Sequence, residues 1–245
     1  MPRFFVLNEA IADGQIRISG DDAYHIARAL RMAVGDTVTV ADGKNTEYTC
    51  RLIHIRDEEC VGEIIEERQS KSEPPHSITL YMAYPKGDKM ETVTQKAVEL
   101  GVSQIVPFES ERCIKRPSGD KAEKITARLT KIAHEAAKQC GRAILPTVQN
   151  ISSFRQMLEM SQYHSLTLFC YEGEGATSLK RILEQCGNNA TDIGVIIGSE
   201  GGFSLGEAER IIENGAKCVN LGPRILRCET APDYVLSALS YFFEL

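Results

Sequence analysis

The sequence lacks any long apolar run. No stretch approaches the ~18 consecutive apolar residues that a bilayer-spanning helix needs, and no apolar leader segment follows Met1. These absences predict a protein without membrane-spanning helices. We therefore expect a cytoplasmic chain with no membrane partner.

Recognisable metal, nucleotide and nucleophile motifs are also missing. The eight cysteines form no C-x-x-C pair and have no histidine at metal-ligand spacing, so we expect reduced thiols and no metal. No G-x-G-x-x-G follows the first strand of an α/β pattern, and no G-x-x-x-x-G-K-[ST] occurs. The sequence therefore contains no signature of a Rossmann dinucleotide site or of a P-loop. The five histidines carry no nucleophile motif.

The segment Asp192–Glu209 combines a strand, a glycine turn and a helix start. Its apolar run, Ile193–Ile197, suits a strand that is covered on both faces. The Gly-Ser-Glu-Gly-Gly turn that follows permits close approach of a ligand to the backbone. Ser204 and Glu207 have the S-x-x-E spacing of a capping box. The segment predicts a ligand site, although by itself it also fits an ordinary strand-to-helix loop.

A second glycine turn lies in the segment Asn220–Ala231, just beyond the next predicted strand. Arg224 and Arg227 stand three residues apart beside Glu229. Thr230 marks the start of an apolar C-terminal helix. Two such turns at the ends of neighbouring strands indicate one shared pocket.

Several landmarks recur in a fixed order along nearly the whole chain. They are Arg3–Val6, His25–Ile26 followed by Leu30–Arg31, Lys86–Glu91, Gln95–Lys96, Glu99–Val102, Glu135–Arg142, Gly198–Gly202 and Leu221–Arg227. On these residues the chain resembles the bacterial 16S ribosomal RNA (uracil-1498-N3) methyltransferase family of the SPOUT class. It departs from that pattern at Ser199, where proline is usual, and at Cys228, where threonine is usual.

The chain divides near Gln69–Pro75, a polar, proline-ended stretch that predicts a linker. Short β-type runs before it indicate a small barrel in residues 1-70, and alternating strands and helices after it indicate an α/β domain with a mainly parallel sheet in 76-245. The resemblance implies that the first domain is a PUA-like RNA-binding barrel and that the second has a SPOUT-type trefoil knot. It also implies a homodimer, to which the wide apolar face of the C-terminal helix would contribute.

The resemblance implies S-adenosyl-L-methionine as the cofactor, held largely by backbone groups of three loops. The expected cofactor contacts are Phe169, Cys170, Tyr171, Glu172, Ile197, Gly198, Glu200, Gly201, Gly202, Leu221, Gly222, Ile225 and Leu226.

Four charged residues are the catalytic candidates for transfer of a methyl group to uracil N3. We expect Arg227 or Arg224 to stabilise the uracil anion, with Arg227 favoured. Glu200 or Glu229 could accept the N3 proton. Glu200 could equally be a helix-terminus carboxylate that holds its loop by hydrogen bonds.

The charge pattern suits an RNA partner although the net charge is −6. Residues 112–142 contain nine Lys or Arg against three Asp or Glu, and the basic residues recur along one face of an amphipathic helix. With the resemblance, this pattern implies binding to 16S ribosomal RNA in the small ribosomal subunit. The expected RNA contacts are Arg3, Arg28, Arg31, Lys86, Lys89, Lys96, Arg112, Arg128, Lys138 and Arg142.

Two other functions stay open at this stage. One is a related methyltransferase with a different RNA target. The other is a non-catalytic RNA-binding ribosome assembly factor that keeps the fold without turnover.

Overall fold

The computed structural model describes residues 1–6, 8–173 and 175–245. Within these ranges, none of the helices combines the length and apolar character that a bilayer crossing requires. No group of three or more His, Cys, Asp or Glu side chains in the same ranges is placed to hold a metal ion. All eight cysteines are free thiols, so no disulfide contributes to the stability of the fold.

The contacts divide the chain into two compact units. The first unit contains Met1–Glu73 and Ala137–Leu145, and the second contains Pro74–Ala136 and Pro146–Leu245. The division after Glu73 falls within the expected linker. The sequence assigned all of 76-245 to the second domain, whereas the contacts place the segment Ala137–Leu145 with the first unit.

A six-stranded sheet forms the core of the first unit. Its strands are β1 (Arg3–Phe5), β2 (Ile11–Ala12), β3 (Gln15–Ser19), β4 (Thr37–Ala41), β5 (Thr46–Ile55) and β6 (Glu59–Gln69). They pair in the order β1-β4-β5-β6-β3-β2, mostly antiparallel, with β1 and β4 parallel. Side chains alternate across each strand, so Ile16 and Ile18 point into the core. A short helix, α1 (Asp21–Tyr24), continues as a π-helical turn and adds Ala23 to that core.

A parallel sheet with helices forms the second unit. Its strands are β7 (Ser77–Ala83), β8 (Gln104–Glu109), β9 (Thr147–Val148), β10 (Ser152–Ser153), β11 (Leu166–Cys170), β12 (Thr177–Ser178), β13 (Asp192–Ile197) and β14 (Lys217–Asn220). Its helices are α2 (Lys89–Glu99), α3 (Asp120–Cys140, whose last turn belongs to the first unit), α4 (Phe154–Ser161), α5 (Leu179–Cys186), α6 (Leu205–Glu213) and α7 (Thr230–Glu244). The strands pair in the order β10-β8-β7-β13-β11-β14-β12, and β9 pairs with β8.

Strand β13 is central in this sheet, between β7 and β11. Its residues Ile193–Ile197 are buried, which confirms the expected covered strand. Gly194 is required here because a Cβ atom on it would lie 2.5 Å from the His164 ring. The parallel pairing of the strands and the helices between them confirm the predicted α/β class with a mainly parallel sheet.

Arg3 and Arg142, two of the expected RNA contacts, lie in ion pairs inside the first unit. Arg142 Nη2 is 2.7 Å from Glu73 Oε2, and the two side chains are only 4% and 9% exposed. Glu73 also accepts the backbone N–H groups of residues 143–144. Arg3 donates to Glu47 at 3.0 Å and to the Arg142 carbonyl at 3.1 Å. Through these bonds the two arginines hold the segment 137–145 in place, and both side chains are largely buried.

We predict that Glu73→Ala destabilises the first unit strongly. The substitution leaves the Arg142 guanidinium buried without its carboxylate, and losing one partner of a buried pair costs about 3–5 kcal/mol. Urea-induced unfolding followed by circular dichroism measures the loss. Glu66→Ala, at an exposed position of β6, is the matched control and should stay within about 0.5 kcal/mol of the wild type. A loss below about 1 kcal/mol for Glu73→Ala would contradict the structural role.

Candidate active site

Loops that follow β7, β11, β13 and β14 meet at the carboxyl edge of the parallel sheet, because these strands are neighbours. They line two adjoining cavities of about 800 Å³ and about 220 Å³. Cys170, Tyr171, Glu172, Ile225 and Leu226 line both. Ligands of parallel α/β sheets bind outside the carboxyl ends of the strands. These joined cavities, called the cleft below, are therefore the candidate site.

The turn after β13 forms the floor of the larger cavity. Gly202 N–H donates to the Ser199 carbonyl at 2.9 Å, and Gly202 has φ 63°, a conformation that favours glycine. Helix α6 then begins with the predicted capping box, in which Ser204 Oγ accepts from Glu207 N–H and Glu207 accepts from Ser204 N–H. Ile197, Gly198, Glu200, Gly201 and Gly202, all expected cofactor contacts, line this cavity.

The turn between β14 and α7 forms the wall of the smaller cavity. Leu221, Gly222, Ile225 and Leu226, four of the expected cofactor contacts, line it. Gly222 has φ 105° and donates to Asn220 Oδ1 at 3.4 Å. Helix α7 begins at Thr230, the expected residue.

The end of β11 contributes two aromatic rings with different roles. Tyr171 lines both cavities, and its ring stacks on Phe169 with the centroids 5.0 Å apart. Phe169 itself is fully buried and also packs edge-on against Phe203. Phe169 lies beneath the cleft in the hydrophobic core, whereas the sequence placed it among the cofactor contacts.

Lys89 occupies the centre of the cleft's charged groups. Its Nζ atom is 3.0 Å from Glu200 Oε1 and 3.0 Å from Glu229 Oε2. Cys228 donates to Glu229 Oε2 at 3.2 Å, and Lys86 N–H lies 3.3 Å from both Glu200 oxygens. The sequence assigned Lys89 to RNA, but the structure gives its ammonium group two carboxylate partners.

This arrangement keeps both carboxylates ionised. The hydrogen bond from Lys89 is the main cause that lowers the pKa of Glu229 to about 2. Burial raises the pKa of Glu200, but hydrogen bonds from its own backbone N–H, from Lys89 and from Lys86 N–H outweigh burial, so the net shift is downward. The two carboxylates raise the pKa of Lys89 in turn. At neutral pH the cleft therefore contains a cation between two anions.

Four further basic side chains surround the mouth of the cleft. Arg224 and Arg227 are exposed, and no side-chain partner is found for either among the described residues. Lys86 and Arg112 also line the larger cavity, where Arg112 donates to the Gly201 carbonyl at 3.1 Å. These four cations are available to an anionic ligand.

Other expected RNA contacts have carboxylate partners on the protein. Lys96 pairs with Asp233, Arg128 with Glu91, Lys138 with Asp22, and Arg28 with Asp57 through both oxygens. The Arg28 pair is largely exposed, so it can exchange partners.

Arg31 is exposed with φ 51°. On α3, Lys121, Lys124 and Lys131 are exposed as the basic stripe predicts.

For three residues of the cleft, the sequence does not predict the place that they occupy in it. Cys228 and Ser199 were seen only as departures from the family pattern, yet both line the larger cavity. The bridging role of Lys89 was missed as well. One signal was available: a lysine at the first position of a helix opposes the helix dipole, so another interaction must hold it there.

Two family models match the chain. The model described as an RNA methyltransferase domain matches residues 72–240, and the model described as an RNA methyltransferase PUA domain matches residues 18–65. Among curated proteins, the ribosomal RNA small subunit methyltransferase E of Bacillus subtilis is 35% identical over 231 residues, which cover 93% of this chain and 90% of that protein.

Solved structures agree over the full length. A ribosomal RNA small subunit methyltransferase E from Neisseria gonorrhoeae, crystallised with S-adenosyl methionine, has a TM-score of 0.86 and 32% identity over 99% of this chain and 98% of that one. A protein from Legionella pneumophila, solved with the same cofactor, has a TM-score of 0.86 and 29% identity over 98% and 96%. With two domain models, a curated relative and full-length structural neighbours in agreement, the chain belongs to the ribosomal RNA small subunit methyltransferase E family.

Proposed function

We propose that this protein is an S-adenosylmethionine-dependent methyltransferase that modifies N3 of a uridine, position 1498, in 16S ribosomal RNA of the small subunit, in the cytoplasm. The observation that carries the proposal is the cleft. Two glycine turns at the carboxyl edge of the sheet line joined cavities, and exposed Arg224 and Arg227 stand at their mouth. Full-length relatives of the same fold were crystallised with the cofactor.

The residues of the cleft fit the cofactor. Ser199 is 5% exposed, and its Oγ atom has no hydrogen-bond partner among the described residues, so a ligand group can satisfy it. A Cβ atom on Gly202 would meet nothing within 4 Å, which indicates open space above the turn. Tyr171 and the backbone of Leu221–Leu226 would hold the adenosine, and the turn Gly198–Gly202 would hold the methionine part. When bound, S-adenosylmethionine supplies an electrophilic methyl group.

Arg227 is our main catalytic assignment. Uracil N3 must lose its proton before or during methyl transfer, so negative charge develops on the base. The exposed Arg227 guanidinium at the cleft mouth can stabilise that charge electrostatically. Arg224, three residues earlier in the chain, can assist it. Neither arginine has a carboxylate partner among the described residues, so both are available for this role.

Glu200 and Glu229 are poor proton acceptors in this arrangement. Lys89 stabilises their ionised forms, and the pKa of Glu229 at about 2 makes it a weak base. We assign these carboxylates to holding the loops of the cleft and propose that the N3 proton passes to solvent water. Of the two roles considered for Glu200, loop holding has the support of its bonds to Lys86 N–H and Lys89.

We propose that both domains hold the RNA. The target uridine must be unstacked to enter the cleft, which requires contacts to the flanking backbone. Lys86 and Arg112 at the cleft, and Arg28 and Arg31 in the PUA-like domain, are exposed candidates. On α3, Lys121, Lys124 and Lys131 are further exposed candidates.

Two architectural features complete the proposal. We propose that the second unit is knotted as a trefoil, as the resemblance to the SPOUT class implies for an RNA methyltransferase domain of this family. We also propose a homodimer that covers apolar side chains that are exposed in the single chain. Tyr234, Tyr241 and Ile225 are 45%, 74% and 83% exposed, whereas Leu239 on the other face of α7 is fully buried.

One assay separates this function from its two rivals. Labelled methyl donor is incubated with the protein and small ribosomal subunits that lack their own modification. Label at uracil N3 of the expected uridine supports the proposal. Label at another nucleotide supports a related methyltransferase, and binding without transfer supports an assembly factor.

We predict that Arg227→Ala lowers the rate of methyl transfer by roughly 10²–10³-fold, the usual cost of losing one group that stabilises an oxyanion. Affinity for the small subunit should change by less than about threefold, because one contact in a large basic surface is lost. Single-turnover transfer and filter binding measure the two quantities. Arg155→Ala, an exposed arginine on α4, should match the wild type. Full turnover in Arg227→Ala would remove this residue from the mechanism.

We predict that Gly202→Val weakens cofactor binding at least tenfold. The positive φ of Gly202 strains any branched residue, and the new side chain would project into the open cleft. Isothermal titration calorimetry with S-adenosylmethionine measures the change. Gly206→Ala is the control, since Gly206 lies on α6 and a Cβ atom there meets nothing. Unchanged affinity in Gly202→Val would place the cofactor elsewhere.

We predict that the rate of methyl transfer rises roughly tenfold per pH unit between pH 6 and 8, because the anionic fraction of uracil rises with pH. The lowered pKa of Glu229, about 2, means that this carboxylate is already ionised across that range. A carboxylate base would therefore give a flat profile. Single-turnover rates with saturating cofactor decide between the two, and a flat profile would return the proton to Glu200 or Glu229.

A further inference from the structure

Lys89 joins three segments that are far apart in the chain. It lies at the start of α2, Glu200 lies in the turn after β13, and Glu229 immediately precedes α7. Both bonds are 3.0 Å long, and all three side chains are between 22% and 26% exposed. The bridge is therefore partly shielded from solvent, unlike an ordinary surface ion pair.

The two carboxylates depend on this ammonium group. Since both accept hydrogen bonds from one Nζ atom, they lie close enough to repel each other strongly without it. Glu200 belongs to the turn that lines the larger cavity. Glu229 follows Arg227, the proposed catalytic group, by two residues. A change in the bridge would therefore move the floor of the cleft and Arg227 relative to each other.

The backbone just before Lys89 also contacts Glu200. Lys86 N–H donates to Glu200, and the chain turns at Gly87, with φ 70°, before α2 begins. A cation at a helix N-terminus costs stability by its interaction with the helix dipole. The two carboxylates that Lys89 binds offset this cost.

We propose that Lys89 is a positioning residue of methyl transfer, whose ammonium group fixes the two glycine turns of the cleft by bridging Glu200 and Glu229. This inference rests on the proposed function. It differs from an RNA-contact role, in which Lys89 would neutralise a phosphate. It also differs from a general-acid role, because Lys89 acts through the two loops and does not touch the reacting atoms.

The test compares Lys89→Met, Lys89→Arg and the double variant Lys89→Met/Glu229→Gln. Lys89→Met should lower kcat by roughly 10–100-fold and leave the KM for small ribosomal subunits within about twofold. Lys89→Arg keeps a donor for both carboxylates and should retain most of the activity. The double variant should recover at least fivefold over Lys89→Met, because the substitution removes the repulsion and its amide can donate to Glu200.

Lys180→Met removes an exposed lysine of α5 and should match the wild type. A raised KM with unchanged kcat in Lys89→Met would make Lys89 an RNA contact and overturn the proposal. A double variant no more active than Lys89→Met would overturn it too. If Lys89→Met does not fold, as judged by circular dichroism, Lys89→Gln takes its place in the same comparison.

A calorimetric arm separates failure of this inference from failure of the proposed function. If the wild type transfers no methyl group to any RNA, the proposed function fails, but its affinity for S-adenosylmethionine can still be measured. The positioning role then predicts weaker cofactor binding in Lys89→Met and partial recovery in the double variant. Equal affinities in all three proteins would overturn the positioning role by itself.

Discussion

Parallel pairing around β13 is the constraint on which the rest of the second unit depends. Ile197 pairs with Met82 of β7, and Ile196 pairs with Phe169 of β11. Because these strands run in the same direction, their following loops must leave at one edge of the sheet. β13 is buried on both faces, as a central strand of a covered parallel sheet is. The convergence of the loops that line the cleft follows from this parallel pairing.

Where the loops converge, an ion-pair bridge links them. The turn after β13 brings Glu200, the segment before α7 brings Glu229, and the start of α2 brings Lys89 between them. Two carboxylates in one partly shielded site need a cation. The bridge satisfies that need, and it leaves the exposed Arg224 and Arg227 available to a substrate.

The acidic net charge is compatible with an RNA substrate because the basic residues have different uses. Some serve the fold: Arg142 is buried against Glu73. Others, such as Lys86 and Lys121, are exposed at the cleft or along α3. Attraction of RNA phosphates needs a local surface of positive charge and does not require a positive net charge.

The sequence by itself determined the class of fold, the covered strand Ile193–Ile197, the capped start of α6 and the two glycine turns, because hydrophobic periodicity and capping are local properties. Through landmark motifs it also indicated the family. Only the tertiary structure decided which cations are available: Arg3 and Arg142 lie in ion pairs within the first unit, and Lys89 lies between Glu200 and Glu229. Partners that lie dozens of residues apart in the chain leave no periodic signal, since pairing of charges depends on the distance and shielding that folding creates.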